Sequence, residues 1–229
     1  MSNATQSLAG TRITSLLDAN SFVEIGKSVT ARATDFNLTE TKAPSDGVIT
    51  GYGVIDGNLV YVYSQDASVL NGTVGEMHAR KITALYDLAM KTGAPVIGLV
   101  DCAGMRLQEA TDALEAFGSI YLKQTLASGM IPQITAVFGT CGGGMAIIPA
   151  LTDFTFIESK KGKMFVNSPN ALDGNYTEKC DTASAEFQSK ETGLIDAVES
   201  EEEILAEIRQ LIGLLPSNFE DNDSFEECT

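Results

Sequence analysis

The sequence is poor in the residues that enzymes most often use for acid–base chemistry and metal binding. Its 229 residues include one histidine, His78, no tryptophan and four cysteines, none of which forms a Cys-x-x-Cys pair. A zinc ribbon is therefore not expected. The N-terminal residues show no secretion signal, so a disulfide framework is not expected either. We predict a cytoplasmic protein with reduced thiols and no metal site.

Basic residues and long apolar runs are also scarce. Fifteen Lys and Arg stand against 31 Asp and Glu, a net charge of −16 that disfavours nucleic acid as a partner. No apolar run reaches the roughly 20 residues that span a bilayer. Eleven acidic residues and one arginine lie after residue 195, which leaves the preceding residues with a net charge of −6. The overall charge therefore does not exclude an anionic ligand.

The apolar pattern predicts alternating strands and helices. Asp56-Gly57 separates two β-rich runs and indicates a hairpin. Two fully apolar runs, 96–100 and 134–138, are typical of strands buried on both sides. Helices are predicted from about 76, over 108–127 and over 201–214, with four residues of the second pointing inward: Leu114, Phe117, Tyr121 and Leu122. The pattern indicates one α/β domain over 1–215 with mainly parallel pairing, followed by an acidic, flexible tail over 216–229.

Two glycine-rich turns follow the two apolar strands. The first is Asp101-Cys102-Ala103-Gly104, and the second runs from Gly139 to Gly144. Ligands of α/β sheets bind beyond the carboxyl ends of the strands, where both turns are expected. Glycines allow a ligand to approach the backbone, and a helix that starts there presents its N–H groups. Two such turns side by side could form an oxyanion hole, although glycine-rich turns also serve packing alone.

Each nucleophilic or titratable side chain near these turns has two interpretations. His78 is either an acid–base group or a surface or capping residue, and the second is preferred. Cys141 is either a nucleophile or a small packing residue. Asp101 and Glu109 either form a carboxylate pair, or Asp101 caps its turn. No convincing nucleophile or general base stands out. This combination suits chemistry in which stabilisation of an enolate does most of the work.

Seven segments, in order, carry a resemblance to a known family. They are 47–53, 63–66, 71–82, 93–99, 101–109, 128–134 and 141–154. Together they resemble the carboxyltransferase family of biotin-dependent enzymes over about residues 10–170. This family includes the propionyl-CoA carboxylase β subunit, the methylmalonyl-CoA and glutaconyl-CoA decarboxylase α subunits, and transcarboxylase.

The resemblance implies a crotonase-like fold, a spiral of ββα units that binds acyl-CoA. It further implies that the thioester oxygen accepts one N–H from each glycine-rich turn. Carried over, the donors fall near Gly104-Met105 and Gly143-Gly144. Family members move a carboxyl group between the acyl α-carbon and a biotin carried on a separate protein. The biotin ureido nitrogen takes or gives the proton, which would explain the lack of a protein base.

A basic cluster near the turns is a candidate for binding the phosphates of CoA. It comprises Arg80, Lys81 and Arg106, with Ala79 beside them. The alternative is a solvent-exposed helix face, and neither interpretation is preferred. A further run, Lys160-Lys161 with Lys163, is interpreted as a surface turn.

The chain departs from the family pattern in three places. It has about half the usual length, so a C-half carboxyltransferase subunit is expected as partner. A biotin carrier and either a biotin carboxylase or a membrane decarboxylase subunit would complete a homo- and hetero-oligomeric complex. The family's Glu-Leu-Gly-Gly segment is replaced over 171–178. Ala103 and Met105 stand where the family tends to have glycine and alanine, so the pocket could be narrower.

Three alternatives remain open at this level. A malonate decarboxylase β-type subunit would act on a malonyl thioester. An acetyl-CoA carboxylase β subunit is disfavoured because the Cys-x-x-Cys zinc ribbon is absent. A non-catalytic scaffold would keep the fold for assembly, and the retained Gly143-Gly144 pair counts against it. The acyl group and the direction of the reaction are not determined by the sequence.

Overall fold

A computed structural model describes residues 7–32, 43–171 and 179–221. Its strands form a sheet in the order β1-β2-β3-β4-β5-β6-β8, and β7 pairs separately with β5. The described strands are β1 (Val23–Ile25), β2 (Val48–Ile55), β3 (Asn58–Gln65), β4 (Val96–Cys102), β5 (Gln133–Gly142), β6 (Phe154–Glu158), β7 (Lys163–Phe165) and β8 (Ala197–Glu199).

A tight hairpin starts the main part of the sheet. β2 and β3 pair antiparallel along their full length, from Val48↔Gln65 to Ile55↔Asn58. The two linking residues, Asp56 and Gly57, both have positive φ, at 49° and 91°. Positive φ at both central residues is the requirement of a type I′ turn, which matches the twist of the strands. The predicted hairpin is confirmed.

The rest of the sheet is parallel and branches at its longest strand. β3 pairs with β4, β4 with β5, and β6 with β8, all in parallel. The first half of β5 pairs with β6 over residues 134–137, whereas its last residues, 140–142, pair with β7. The mainly parallel α/β fold is therefore confirmed. The carboxyl end of β5 therefore lies between β4 and β7, whereas its first half lies between β4 and β6.

Five helices cover the two faces of the sheet in the described residues: α1 (Leu8–Leu16), α2 (Glu76–Thr92), α3 (Ala110–Ala127), α4 (Ala185–Phe187, continued by a π turn over Gln188–Thr192) and α5 (Glu201–Leu214). α2 and α3 contribute to one apolar cluster, and α1 and α5 to another on the opposite face. The buried face of α2 includes Ile82, Leu85, Tyr86 and Ala89, and Gly93 ends that helix in the left-handed conformation with φ 65°.

The inner face predicted for α3 is wrong in part. Leu114 and Leu122 are 60% and 57% exposed, whereas Phe117 is buried. The buried side also contains small residues, Ala113 and Ala116, which allow α3 to pack closely against its neighbours. The hydrophobicity of the leucines predicted that they are buried. The small residues instead determine which face of α3 packs against the rest of the domain.

α1 and α5 are joined by one buried arginine. The guanidinium of Arg12 binds Glu201, with Nε 3.0 Å from Oε1, and its Nη1 lies 3.5 Å from Asp101 Oδ2. It also lies 4.8 Å from the centre of the Phe138 ring. Its side chain is only 2% exposed, so this arginine connects both helices to the end of β4 from beneath the sheet.

The first residues of the acidic tail are attached to the domain. Asn218 Nδ2 donates to Gly93 O over 2.9 Å, and Phe219 N donates to Met130 O over 3.1 Å. This part of the tail is therefore not free, contrary to the expectation for 216–229. The predicted flexibility of 222–229 and the altered segment at 172–178 lie outside the described residues. No helix in the described ranges is long and apolar enough to cross a membrane.

Candidate active site

The pairing of the two central strands, β4 and β5, is irregular near their carboxyl ends, and this irregularity forms the candidate site. Val100 pairs with Val137, but Cys102 pairs with Cys141, so β5 contains two extra residues between these pairs. Asp101 stabilises this bulge because its Oδ1 accepts the Thr140 N–H over 3.2 Å. A Cβ at Gly139 would lie 2.2 Å from the same oxygen, so glycine is required there. The Asp101 carboxylate thus binds the neighbouring strand, and not its own turn, which it was predicted to cap.

The bulge brings the two glycine-rich turns into direct contact. A Cβ at Gly104 would lie 3.0 Å from Gly142 O and 3.9 Å from Gly143 N. A Cβ at Gly142 would lie 2.9 Å from Ala103 O. Gly104 also has φ 119°, a conformation that residues with a side chain rarely adopt. Two backbones this close can present their N–H groups to one ligand atom.

The first turn is fixed by a neighbouring segment, which determines the direction of its groups. Val74 N donates to Gly104 O and Arg106 N donates to Val74 O, both over 2.9 Å, in a parallel bridge between Val74 and Met105. This pattern directs the N–H of Met105 away from Val74. Gly104 N instead donates to Cys102 Sγ over 3.3 Å. Met105 is therefore the better candidate for a ligand-facing donor in this turn.

The second turn opens a short 3₁₀ helix, Gly143–Ile147. The first N–H groups of such a helix have no partner within it. Gly143 has φ 60°, and a Cβ at this position would meet nothing within 4 Å. Gly144 is closely covered by α3, since Tyr121 Oη donates to its carbonyl over 2.5 Å. Gly143 thus faces open space, and Gly144 is attached to the helix behind it.

A buried ionic cluster lies under the first turn. Arg106 is 1% exposed; its Nη1 binds Asp46 and Glu109. Its Nη2 donates to Thr73 O over 2.7 Å. Glu109 also accepts the Glu76 N–H at the start of α2 over 2.6 Å. Burial raises the pKa of Asp46, and the Arg106 charge opposes this effect. The cluster ties the turn to two helix starts.

His78 is buried next to this cluster, contrary to the preferred surface interpretation. The side chain is 0% exposed; Nδ1 lies 2.9 Å from Asp46 O and Nε2 lies 3.1 Å from Gln65 Nε2. Burial lowers the pKa of His78 to about 3, with the Arg106 charge acting in the same direction. The imidazole is therefore neutral: Nδ1–H donates to Asp46 O, and Nε2 accepts from Gln65. It does not reach a ligand at the turns.

The basic cluster proposed for CoA phosphates is divided by the fold. Lys81 is buried, and its Nζ donates to Ser45 O over 3.0 Å and to Val48 O. Burial lowers the pKa of Lys81 to about 8. Arg106 is occupied by its carboxylates, as described above. Arg80 is 67% exposed and binds Glu76. The sequence suggested either a phosphate-binding cluster or a solvent-exposed helix face for Arg80, Lys81 and Arg106. Neither interpretation fits all three, because Lys81 and Arg106 are buried and only Arg80 is exposed.

Ala79 lies in α2, and the lysine run near residue 160 lies on the surface. Ala79 is buried but borders a groove of about 240 Å³ between α2 and α3, which Arg80 also lines. The lysine run near residue 160 forms the surface turn that was predicted. There the backbone N–H groups of Lys160 and Lys161 donate to Glu158, and Lys163 binds Asp181.

The other candidate nucleophile and the carboxylate pair are not supported. Cys141 is 0% exposed, and burial raises its pKa well above the usual value. Cys102 opposite it is also buried, and its pKa rises to about 12 for the same reason. Both are packing residues beneath the turns. Asp101 binds the bulge and Arg12, whereas Glu109 binds Arg106, so the two carboxylates serve different contacts.

Known proteins resemble this chain in sequence and in fold. The family described as Carboxyl transferase domain matches residues 3–229. The chain belongs to this family. It is 43% identical over 211 residues to the methylmalonyl-CoA decarboxylase subunit alpha of Veillonella parvula, covering 90% of this chain and 42% of that protein. It is 42% identical to the propionyl-CoA carboxylase beta chain of Roseobacter denitrificans, covering 90% of this chain and 41% of that protein.

Solved structures of the carboxyl transferase family share the fold. Transcarboxylase 12S, solved with methylmalonyl-coenzyme A and methylmalonic acid bound, superposes with a TM-score of 0.92 at 32% identity. The alignment covers 99% of this chain and 45% of that one. A Pseudomonas malonate decarboxylase hetero-tetramer shares the fold at 22% identity and a TM-score of 0.78. The crotonase-like fold is thus confirmed. The chain spans less than half the length of its curated relatives.

Gln65 is the residue near the site that our sequence interpretation missed. It is 0% exposed at the carboxyl end of β3; Oε1 accepts the Asp101 N–H over 3.3 Å, and Nε2 lies 3.6 Å from Met145 Sδ. A polar residue that ends an apolar strand just before a turn is a weak signal for such a role. Its contacts depend on residues 36 and 80 positions away, which no local pattern reveals.

Proposed function

We propose that this chain binds an acyl-CoA and stabilises the enolate of its thioester, as the acyl-CoA half of a biotin-dependent carboxyltransferase. The contact between Gly104 and Gly142-Gly143 carries the proposal, because it places two backbone turns against one another at the carboxyl ends of β4 and β5. We assign the donors to Met105 and Gly143, with Gly104 and Gly144 shaping the turns. Two preorganised N–H groups supply charge stabilisation without reorganisation.

The titratable groups around the turns support a chain that stabilises the enolate charge but supplies no proton acceptor. His78 is neutral and enclosed, and the thiols of Cys102 and Cys141 are buried with raised pKa values. None of these three can exchange a proton with a ligand over the turns. The biotin carried by another protein would supply the carboxyl transfer and the associated proton acceptor. This chain would bind the thioester, orient its carbonyl and stabilise the negative charge.

The relatives suggest the acyl group and the remaining parts of the machinery. Transcarboxylase 12S is solved with methylmalonyl-coenzyme A bound, and related subunits are named for methylmalonyl-CoA and propionyl-CoA. We propose the same pair of substrates here. Turnover would also require the region that forms the rest of those relatives, a biotin carrier, and either a biotin carboxylase or a membrane decarboxylase subunit.

Arg80 is the proposed contact for the CoA phosphates. Of the three cations suggested by the sequence, it is the one whose side chain reaches solvent. Lys81 and Arg106 are instead buried, where Lys81 binds backbone carbonyls and Arg106 binds carboxylates. We expect Arg80→Met to weaken CoA binding several-fold as measured by calorimetry, with a smaller effect at high salt because the phosphate attraction is screened. An unchanged dissociation constant would remove Arg80 from the site.

Titration of the chain with propionyl-CoA and methylmalonyl-CoA tests the proposal. Binding is expected for both, and Gly143→Val should weaken it and abolish turnover in the reconstituted complex. The introduced valine side chain would project into the open space where the thioester must approach, and its Cβ would meet no protein atom within 4 Å. Valine at φ 60° strains the turn and should lower the free energy of unfolding, but because no clash arises the far-ultraviolet circular dichroism of the folded protein should be retained. Wild-type-like turnover in Gly143→Val would reject the site, and absence of binding would favour a scaffold.

A further inference from the structure

Gln65 is connected to both glycine-rich turns at once. Its Oε1 accepts the Asp101 N–H at the start of the first turn over 3.3 Å. Its amide nitrogen lies 3.6 Å from the sulfur of Met145, in the 3₁₀ helix that the second turn opens. Both contacts come from one fully buried side chain. A shift of this amide would therefore change the two turns together.

The orientation of Gln65 is fixed by His78. Neutral His78 presents Nε2 as an acceptor only, so the group of Gln65 that lies 3.1 Å away must be its amide N–H₂. The opposite ring nitrogen is held by Asp46 O over 2.9 Å. This leaves Oε1 of Gln65 directed at Asp101 and the second amide hydrogen directed at Met145. An unpaired His78 or Gln65 would be costly in this buried setting.

We propose that Gln65, oriented by His78, is a positioning residue that keeps the two turns aligned as a single oxyanion hole. It touches neither the ligand nor the reacting atoms. Its contribution is to fix the separation and direction of the donors on Met105 and Gly143. Misplacement of such donors lowers their electrostatic effect far more than it lowers overall binding. The inference rests on the function proposed above.

The decisive experiment measures how strongly the site polarises a thioester carbonyl. The probe is propionyl-CoA labelled with ¹³C at the carbonyl, bound to the full chain and observed by infrared difference spectroscopy. Wild-type protein should lower the carbonyl stretch on binding. Gln65→Met, which keeps the shape but loses the hydrogen bonds, should lose at least half of that shift while its dissociation constant changes less than threefold. An undiminished shift in Gln65→Met would overturn the proposal.

A matched variant separates this role from the loss of a buried amide. Gln133 is likewise 0% exposed, but it lies at the amino end of β5, where its side-chain Nε2 donates to Gln124 O over 3.0 Å, away from the turns. Gln133→Met should retain the full carbonyl shift, even if its melting temperature falls as far as that of Gln65→Met. Equal loss of the shift in both variants would show a nonspecific effect of stability and overturn the proposal.

Two variants of His78 test the orientation step and cover the case in which Gln65→Met does not fold. His78→Gln can keep an acceptor near the position of Nε2 and should preserve most of the shift. His78→Asn keeps a donor near Nδ1 but no partner for Gln65, and should lose it. The reverse order would overturn the proposal. Amide hydrogen exchange gives a readout that needs no ligand. His78→Asn should accelerate exchange in both turns, and unchanged exchange in both would contradict the proposal.

The function proposed above and this inference fail in different ways. If wild-type protein does not bind the labelled propionyl-CoA, the acyl-CoA function is rejected, and hydrogen exchange alone then decides whether Gln65 couples the turns. If wild-type protein binds and shifts the carbonyl but Gln65→Met does so equally, only the positioning role is rejected.

Discussion

The two glycine-rich turns follow neighbouring strands but are held by different physical means. The first is fixed by hydrogen bonds and ion pairs. The backbone of Val74 bonds to the residues on either side of Met105, and the side chain of Arg106 binds Asp46 and Glu109. The second is held mainly from behind by α3, through Tyr121 and the packing of Phe117 against Gly144. The first turn is therefore fixed by hydrogen bonds and ion pairs, whereas a Cβ at Gly143 of the second would meet no protein atom within 4 Å. We infer that the first is rigid support and the second is where the ligand enters.

Removal of the charge under the first turn should have the largest effect. Arg106→Met leaves Asp46 and Glu109 buried without their cation, and loss of one partner from a buried pair costs about 3–5 kcal/mol. Urea denaturation should show this loss in the free energy of unfolding. Arg80→Met is the control, since that exposed pair contributes under about 1 kcal/mol. Similar costs for the two variants would mean that the cluster does not support the turn.

Equivalent substitutions in the two turns should differ in cost. Gly104→Ala places a Cβ 3.0 Å from Gly142 O at φ 119°, and we expect a loss of about 2 kcal/mol or more. Gly143→Ala adopts the left-handed region at φ 60° with no clash, so its loss should be about 1 kcal/mol. Paired urea titrations would measure both. A more costly Gly143→Ala would reverse the assignment of support and entry.

Acid should destabilise the protein through buried His78, which lies next to the cluster under the first turn. The pKa of His78 is about 3 in the folded protein against an ordinary 6.5, so between these values the unfolded chain binds a proton that the folded chain does not. The free energy of unfolding therefore falls as the pH falls through this range, by up to about 1.4 kcal/mol per pH unit from this group. His78→Gln should remove that part of the slope. Parallel slopes for the two proteins would show that His78 is not responsible.

The hydroxyl on α3 should have the smallest effect. Tyr121→Phe removes the hydrogen bond to Gly144 O but keeps the ring next to Phe117, so we expect a loss of about 1 kcal/mol. The expected change is local: amide exchange should accelerate over 143–147 and stay unchanged around Met105. Accelerated exchange in both turns would mean that the second turn supports the first, contrary to the comparison above.

Local patterns were sufficient for much of the fold. Asp56-Gly57 predicted the hairpin because the residue types themselves require the turn geometry, and the two apolar runs predicted the central strands. The same patterns failed for Leu114 and Leu122, since periodicity shows that a helix has faces but not which face a neighbour covers. The small residues on the other face permit the close approach that fixes the orientation.

The candidate site was only partly predictable. The glycines of both turns stand out because glycine is favoured where backbones touch, and their positions followed from the strand ends. The burial of His78 and Lys81 could not be predicted from the local sequence. The partner of His78 is Asp46 and that of Lys81 is Ser45, and both lie more than 30 residues away. A histidine or lysine at a helix start resembles a surface residue until the segment that covers it is known.

The arginine beneath the sheet has a consequence for synthesis on the ribosome. Arg12 belongs to α1, which is synthesised before the other described helices, yet its bidentate partner Glu201 follows 189 residues later. Asp101 and Phe138, its other neighbours, are also made long after it. α1 therefore cannot acquire its final contacts while the central strands are being translated. A nascent chain stopped before Glu201 should leave this helix open to proteolysis, with the strand ends that form both turns unsupported from below.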